Sequence, residues 1–363
     1  MNGDPADEAI GYLNSLNRKL KDTYPLDGRD AAVRRQYGMT QICINTEGCT
    51  AGRTGSCLFC NYPRGRGTDP GKASAAVKEA LRTRGPDDRS VLVGASGSIL
   101  DPSEVSDDVL DAVLDSLSGL KGQRIILESR LETVTDSALR RISERLAGNA
   151  VCIEFGLESA DPWILKYCLN KRLDLEKVKD AVRRIHGFGF MVTANILVGI
   201  PFLTPAEQVF AAAESVRWAM DAGIDDVVLF PVSVRRSTVL DELYSIGAYE
   251  PPGCDALASV LQSIDPSLLD RVSLSWADPS QVDDPVIRVH PRADDPAVYR
   301  FFSDFMNEPS SEGRSRILSD YVQGRDMLSP SDGVESESAL KKLIMAASEL
   351  RKRFGDMYQT ELS

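Results

Sequence analysis

The chain has 363 residues, 42 % apolar and 26 % charged, which reads as a soluble globular protein with a large core. Its net charge of −12 argues against a uniformly basic nucleic-acid binder, and no run of ~18 apolar residues is present to cross a bilayer. The acidic start "MNGDPADEAIGYLN" lacks the basic flank and apolar stretch of a secretory signal, so a cytoplasmic location with reduced thiols is expected.

In chain order, residues 1–37 read as a helix plus a linker, an N-terminal extension. Six β-then-α units follow. Their strands are "TQICINT" (40–46), "SVLVGA" (90–95), "QRIILES" (123–129), "VCIEFGLES" (151–159), "MVTANILVGIP" (191–201) and "DDVVLFPV" (225–232). Between them lie stretches with apolar residues at helical spacing, such as "SDDVLDAVLDSLSGL" and "TDSALRRISERLAG", the latter opening on a Thr cap signal and closing at Gly148. Short connections and near-continuous apolar strands imply a parallel sheet covered by helices. Each strand exit is polar or glycine-rich, which suits an α/β fold that collects function where its strands end. The expected fold is α/β, a partial (β/α)6 barrel of parallel strands over residues 38–235. Residues 236–363 are expected to form a mostly helical subdomain or lid. In it "DALASVLQSI" and "SALKKLIMAASELRKRF" read as helices, and "NEPSSEGRS" and "LSPSDGVESES" as loops.

The first strand runs into "GCTAGRTGSCLFCNYPRGRG", with Cys49, Cys57 and Cys60 within twelve positions. The other four cysteines, Cys43, Cys152, Cys168 and Cys254, are scattered, so the seven are not a disulfide framework, and no second metal cluster is expected. A structural zinc site needs a second pair of ligands, and the histidines are only His186 and His290. His186, at a helix end, reads as a surface residue, and Cys168 as a buried structural one. A redox C-x-x-C has no use for Cys49. A four-iron cluster normally takes four cysteines, so three leave one iron open to a small chelating molecule. Buried apolar cysteines are the plain alternative, and a Gly/Ser/Thr/Arg loop fits it poorly.

The C-x7-C-x2-C spacing, with Phe59 before the last cysteine, resembles that of radical S-adenosylmethionine (SAM) enzymes. "GASGSILDPSEV", "LESRLE", "GLESADPWILKYCLNKR", "LVGIPFLTPAEQV" and "VRRSTVLDELYSIGAYEPP" follow in the order of the Elp3-like branch, most closely that of the archaeosine-forming lyases. The resemblance spans roughly residues 38–252 and implies two cofactors. Cys49, Cys57 and Cys60 would hold a [4Fe–4S] cluster, and S-adenosylmethionine would chelate its open iron and be cleaved reductively to a 5'-deoxyadenosyl radical. The Phe59 backbone would face the adenine. Gly94, Ala95, Ser96, Gly97 and Ser98 would line the methionine amino group, or else form a plain turn. Glu128, Ser129 and Arg130 end the third strand, with Arg130 pairing the methionine carboxylate or Glu158. Glu158 and Ser159 would touch ribose or methionine, and Asn195 would point into the barrel if Ala194 and Ile196 point out. Arg130, Glu158, Asn195 and Lys171 are candidate catalytic residues, with a solvated helix-cap lysine the plain reading of Lys171.

Residues 51–90 carry eight Lys and Arg against four Asp and Glu. This local excess, at and after the cysteine loop, points to a small anionic substrate, and the resemblance implies an external electron donor of flavodoxin or ferredoxin type. A tRNA substrate, as in the archaeosine-forming lyases, is the runner-up. It is disfavoured by the net charge and by the lack of any C-x-x-C after Cys60. A non-catalytic zinc-binding protein is the third reading.

Overall fold

The computed structural model describes residues 4–23, 29–36, 38–62, 65–253, 255–275, 287–289 and 296–355. Cys254 and His290 lie outside the described residues.

Helix α1 (Pro5–Asp22) starts where the Asp4 side chain accepts the Ala6 amide, and it carries Lys19 and Lys21 in its last turn, where cations suit the helix dipole. Two strands follow as an antiparallel pair, β1 (Ala31–Gln36) and β2 (Met39–Ile44). After a short α2 (Thr50–Arg53) and α3 (Pro70–Arg82), the βα alternation runs β3 (Ser90–Ala95), α4 (Asp107–Leu117), β4 (Arg124–Glu128), α5 (Asp136–Arg145), β5 (Ala150–Glu158) and α6 (Leu175–His186). It continues with β6 (Met191–Val198), α7 (Pro205–Asp221) and β7 (Asp226–Pro231). Side-chain caps open these helices as the sequence implies: Ser106 for α4, Thr135 for α5, and a reciprocal Thr204–Glu207 box for α7.

The sheet order is β1-β2-β3-β4-β5-β6-β7-β9, with β9 at Val272–Leu274. All neighbours from β2 onward are parallel, and β1 alone is antiparallel. This is the expected partial barrel, with two additions. β1 was expected as linker and β9 as part of a helical region, yet both are hydrogen-bonded into the sheet beyond residues 38–235.

The outward strand faces, with Ile42, Val93, Leu127, Ile153, Ala194 and Leu229, form one core with the covering helices. The inward faces carry Glu128, Glu154 and Asn195, and side chains from the ends of β4 to β7 line one cavity, which a flat sheet cannot achieve.

The remainder comprises β8 (Val234–Arg235), α8 (Val239–Ser245), α9 (Asp255–Gln262), β10 (Ile287–Val289), α10 (Pro296–Asn307), α11 (Ser311–Val322) and α12 (Ser336–Phe354). "SEGRS" is thus the first turns of α11, not loop, with Ser310 as its cap. α12 packs on α1, and both join a second apolar cluster that contains Leu58 of the cysteine loop.

Candidate functional site

The loop after β2 brings Cys49, Cys57 and Cys60 to the mouth of a cavity of about 590 Å³. Cys49 caps α2, its Sγ accepting the Gly52 amide at 3.4 Å. Cys57 sits at φ 59, a left-handed conformation unusual for a side chain-bearing residue. Backbone bonds hold it there: Cys57 N donates to Asn170 O and Leu58 N to Leu169 O, both at 3.0 Å. Burial pushes the Cys57 thiol up to about 12, against the pull of Lys171. Burial also raises Cys49, and nearby Cys60 adds to this. Among the described residues, no three His, Cys, Asp or Glu side chains converge on one metal ion. The three thiols line one cavity.

Glu104 anchors the start of the loop. Its buried carboxylate accepts from Thr50 N at 2.6 Å, Thr50 Oγ1 at 2.7 Å, Ser98 N at 2.5 Å and Arg130 Nη1 at 2.8 Å. Gly97 packs into this contact: a Cβ there would lie 2.1 Å from Glu104 Oε2 and 3.0 Å from the Cys49 backbone. Arg130 donates to Cys49 Sγ at 3.2 Å and to Thr50 Oγ1 at 3.1 Å, pairs with Asp101, and lies 3.1 Å from Glu132. Burial opposes its charge, but Cys49, Glu104 and Glu132 outweigh that and raise its pKa.

Deeper in the cavity, β4 and β5 present acids side by side. Glu128 pairs in register with Glu154. Burial, and then the Glu154 charge, push Glu128 up to about 7. The Arg235 charge pulls the other way. Burial likewise raises Glu154, which accepts from Asn195 Nδ2 at 3.1 Å. Asn195 Oδ1 is buried without a partner. Lys171 Nζ donates to Gly156 O at 2.5 Å and Glu158 Oε1 at 3.0 Å. Leu197, Phe230 and Val232 provide apolar walls, and Arg235 lies over the Tyr62 ring.

The cavity therefore gathers Cys49, Cys57, Phe59, Cys60, Gly97, Glu128, Ser129, Arg130, Glu158, Lys171 and Asn195. Asn195 faces inward and its neighbours Ala194 and Ile196 outward, as alternation requires. Several expectations need correction. Arg130 does not pair with Glu158: its Nη groups go to Asp101 and Glu104, while its buried Nε has no hydrogen-bond partner among the described residues. Glu158 pairs with Lys171 instead, and Lys171 is a cavity residue, not a solvated helix cap. Gly94, Ala95, Ser96 and Ser98 do not line the cavity. Ala95 is core, Ser96 N donates to Ile44 O, and Ser98 Oγ bonds Ser129 Oγ at 2.7 Å. Gly94 leaves room for Glu128, whose Oε2 would lie 2.6 Å from a Cβ there. Cys168 is buried among apolar side chains, and half-exposed His186 meets Asp225 at 2.9 Å.

The positive segment also fails to face the cavity. None of its described basic residues lines it. Arg53 pairs with Glu47, Lys72 with Asp69 and Arg82 with Glu79, all near the surface. Arg64 lies outside the described residues. The cavity's cations are Arg130, Lys171, Arg172 and Arg235, so the segment's charge gives no support to an anionic substrate. Glu104, Glu154, Asn17 and Lys21 escaped the sequence reading.

Residues 44–213 match the family model described as the Radical SAM superfamily. The chain is 25% identical over 232 residues to the uncharacterized protein MJ0550 of Methanocaldococcus jannaschii, covering 61% of this chain and 63% of that protein, so it spans under two thirds of that relative. It is 23% identical over 242 residues to archaeosine synthase subunit beta of Methanosarcina acetivorans, covering 65% of this chain and 69% of that one. Methylornithine synthase is a similar solved structure, at TM-score 0.49 and 17% identity over 95% of this chain and 93% of that one.

Proposed function

We propose that this chain, whose residues 44–213 match the radical S-adenosylmethionine superfamily, is an enzyme of it and that Cys49, Cys57 and Cys60 hold a [4Fe–4S] cluster. In this reading the cavity behind them takes S-adenosylmethionine and a small-molecule substrate. One observation carries the reading: three cysteines at C-x7-C-x2-C open on a single cavity that also holds the unpartnered Asn195 Oδ1 and the Lys171–Glu158 ion pair. When bound, the two cofactors supply one-electron reductive cleavage to a 5'-deoxyadenosyl radical, the electron coming from an external flavodoxin- or ferredoxin-type donor.

The chain's own residues suit such a guest. Asn195 Oδ1 lacks a partner among the described residues, the Glu128 carboxylate lines the same cavity, and both would accept from an ammonium or a ribose hydroxyl. Lys171, now on Glu158, is the cation placed to receive a carboxylate. Arg130, whose Nη groups hold Cys49, Thr50, Asp101 and Glu104, acts first by fixing Cys49. Leu197, Phe230 and Val232 would exclude water from a reactive carbon. No described helix is long and apolar enough to cross a membrane. Thiols free to bind iron suit the cytoplasm.

The test is anaerobic reconstitution with iron and sulfide, then dithionite and S-adenosylmethionine. An iron–sulfur chromophore and 5'-deoxyadenosine are expected. Zinc retained in place of iron would refute the reading.

A second reading, modification of tRNA, is favoured by the relatives named archaeosine synthase subunit beta. Each neutralised phosphate steepens the salt dependence of nucleic-acid binding by about one log–log unit, and the net charge of −12 opposes such attraction. A separate RNA-binding chain would have to supply those contacts. A gel-shift titration with bulk tRNA at two salt concentrations tests this. Tight, salt-steep binding by the isolated chain would replace the small-molecule reading.

A further inference from the structure

Helix α1 extends beneath the cysteine loop and buries two polar side chains there, Asn17 at 0 % and Lys21 at 1 % exposure. Asn17 Nδ2 lies 3.0 Å from Gly55 O, 3.4 Å from Ser56 O and 3.2 Å from Cys57 O, while Oδ1 accepts from Val239 N at 3.0 Å. Lys21 Nζ donates to Ser56 O at 2.6 Å and Cys57 O at 3.3 Å. The loop rests directly on the helix. Gly55 has φ 87, and a Cβ on it would stand 2.2 Å from Asn14 O.

Lys21 has no carboxylate partner among the described residues. Other cations at the loop do: Arg53 has Glu47, Arg130 has Asp101 and Glu104, and Lys171 has Glu158. A buried ammonium without a counter-charge costs several kcal/mol, and carbonyl dipoles relieve only part of that. Both carbonyls it holds belong to the loop, one of them to Cys57 itself. The anion that would balance it is therefore one carried by the Cys57 thiolate.

We propose that Lys21 is a positioning residue for the cysteine loop: its buried positive charge is the internal counter-ion of the thiolate-ligated group at Cys57. With Asn17 it also fixes the 55–57 carbonyls, so that Cys57 can turn its thiol to the cavity. This rests on the cluster assignment above. Its consequence is electrostatic. A fixed cation beside an anionic cluster favours the more negative, reduced state, so Lys21 raises the reduction potential.

The test compares wild type with Lys21→Met and Lys21→Gln after anaerobic reconstitution. EPR-monitored titration reads the midpoint potential, with iron content and thermal unfolding of the metal-free chains measured alongside. Metal-free Lys21→Met is expected to unfold at or above the wild-type temperature, since an unpaired buried charge is gone. Its cluster is expected to be at least tenfold harder to reduce, a midpoint about 59 mV lower for one electron. Lys21→Gln keeps a donor for the carbonyls without the charge and carries the same expectation if Lys21→Met does not fold. Earlier unfolding of the metal-free variants with an unchanged midpoint would make Lys21 purely structural and overturn the proposal. Wild type that takes up no iron would instead overturn the cluster assignment, and this inference with it.

Discussion

Replacing Glu104 with alanine removes one carboxylate from four donors at once. Two are backbone amides, Thr50 N and Ser98 N, and neither can turn away. The third is the Thr50 hydroxyl, which can rotate, and the fourth is Arg130, which keeps Asp101. A buried donor left without an acceptor costs about 1–3 kcal/mol, so the two amides alone amount to about 2–6 kcal/mol. Breaking one side of a buried ion pair is typically worth about 3–5 kcal/mol. The two estimates overlap at about 3–5 kcal/mol, which is the expected loss. Glu104→Gln keeps one oxygen but turns an NH2 toward the other amide, because Thr50 and Ser98 bond different oxygens. It should lose about half as much. Urea unfolding of the metal-free chain, followed by circular dichroism, measures both. Iron uptake should fall in parallel, since Thr50 follows Cys49 and Arg130 loses part of its hold on that thiol. An alanine variant within ~1 kcal/mol of wild type, with full iron uptake, would refute the idea that Glu104 organises the loop.

Cys49→Ala, Cys57→Ala and Cys60→Ala should each abolish uptake of the roughly four irons of one cube while leaving the circular dichroism of the barrel intact; elemental analysis decides, and about eight irons per wild-type chain would reveal a second cluster. Glu128 is raised from 4.5 to about 7, so the folded chain holds a proton that the unfolded chain has released. Stability must then fall as pH rises from about 4.5 to 7, with the full penalty present above that. Glu128→Gln should stabilise the protein more at about pH 8 than at about pH 5, by about 1–3 kcal/mol once cavity water is allowed for. A gain independent of pH would refute the raised Glu128 pKa, and with it both burial and the Glu154 charge as its causes.

The strands β2 to β7 were legible because each is an apolar run of the right length between helical periods, and a parallel sheet buries both faces of its strands. The two missed strands of this sheet lack that mark. β1 is "AAVRRQ", an edge strand with Val33 exposed, and β9 is the three residues "VSL". Only pairing identifies them, and pairing is not local. The same limit governs the charges. Eight cations counted along residues 51–90 looked like a binding surface, but α3 carries several of them away from the cavity on pairs with its own acids. Arg130, by contrast, reaches Cys49 and Glu104 across the fold.

Lys21 and Asn17 did leave a trace. Leu13, Asn17 and Lys21 are spaced four apart, so they share one face of α1. Leu13 and the nearby Leu16 are fully buried, which makes that face the inward one. An amphipathic helix has no reason to put an amide and an ammonium on its apolar stripe unless acceptors wait there. The sequence therefore contained the demand for buried partners at positions 17 and 21. It did not contain their address, since the acceptors are backbone carbonyls 35 to 40 residues away. Carbonyls have no residue type by which a motif could name them. The cysteine spacing names the thiols; the helix that holds their loop becomes visible only when the chain is folded.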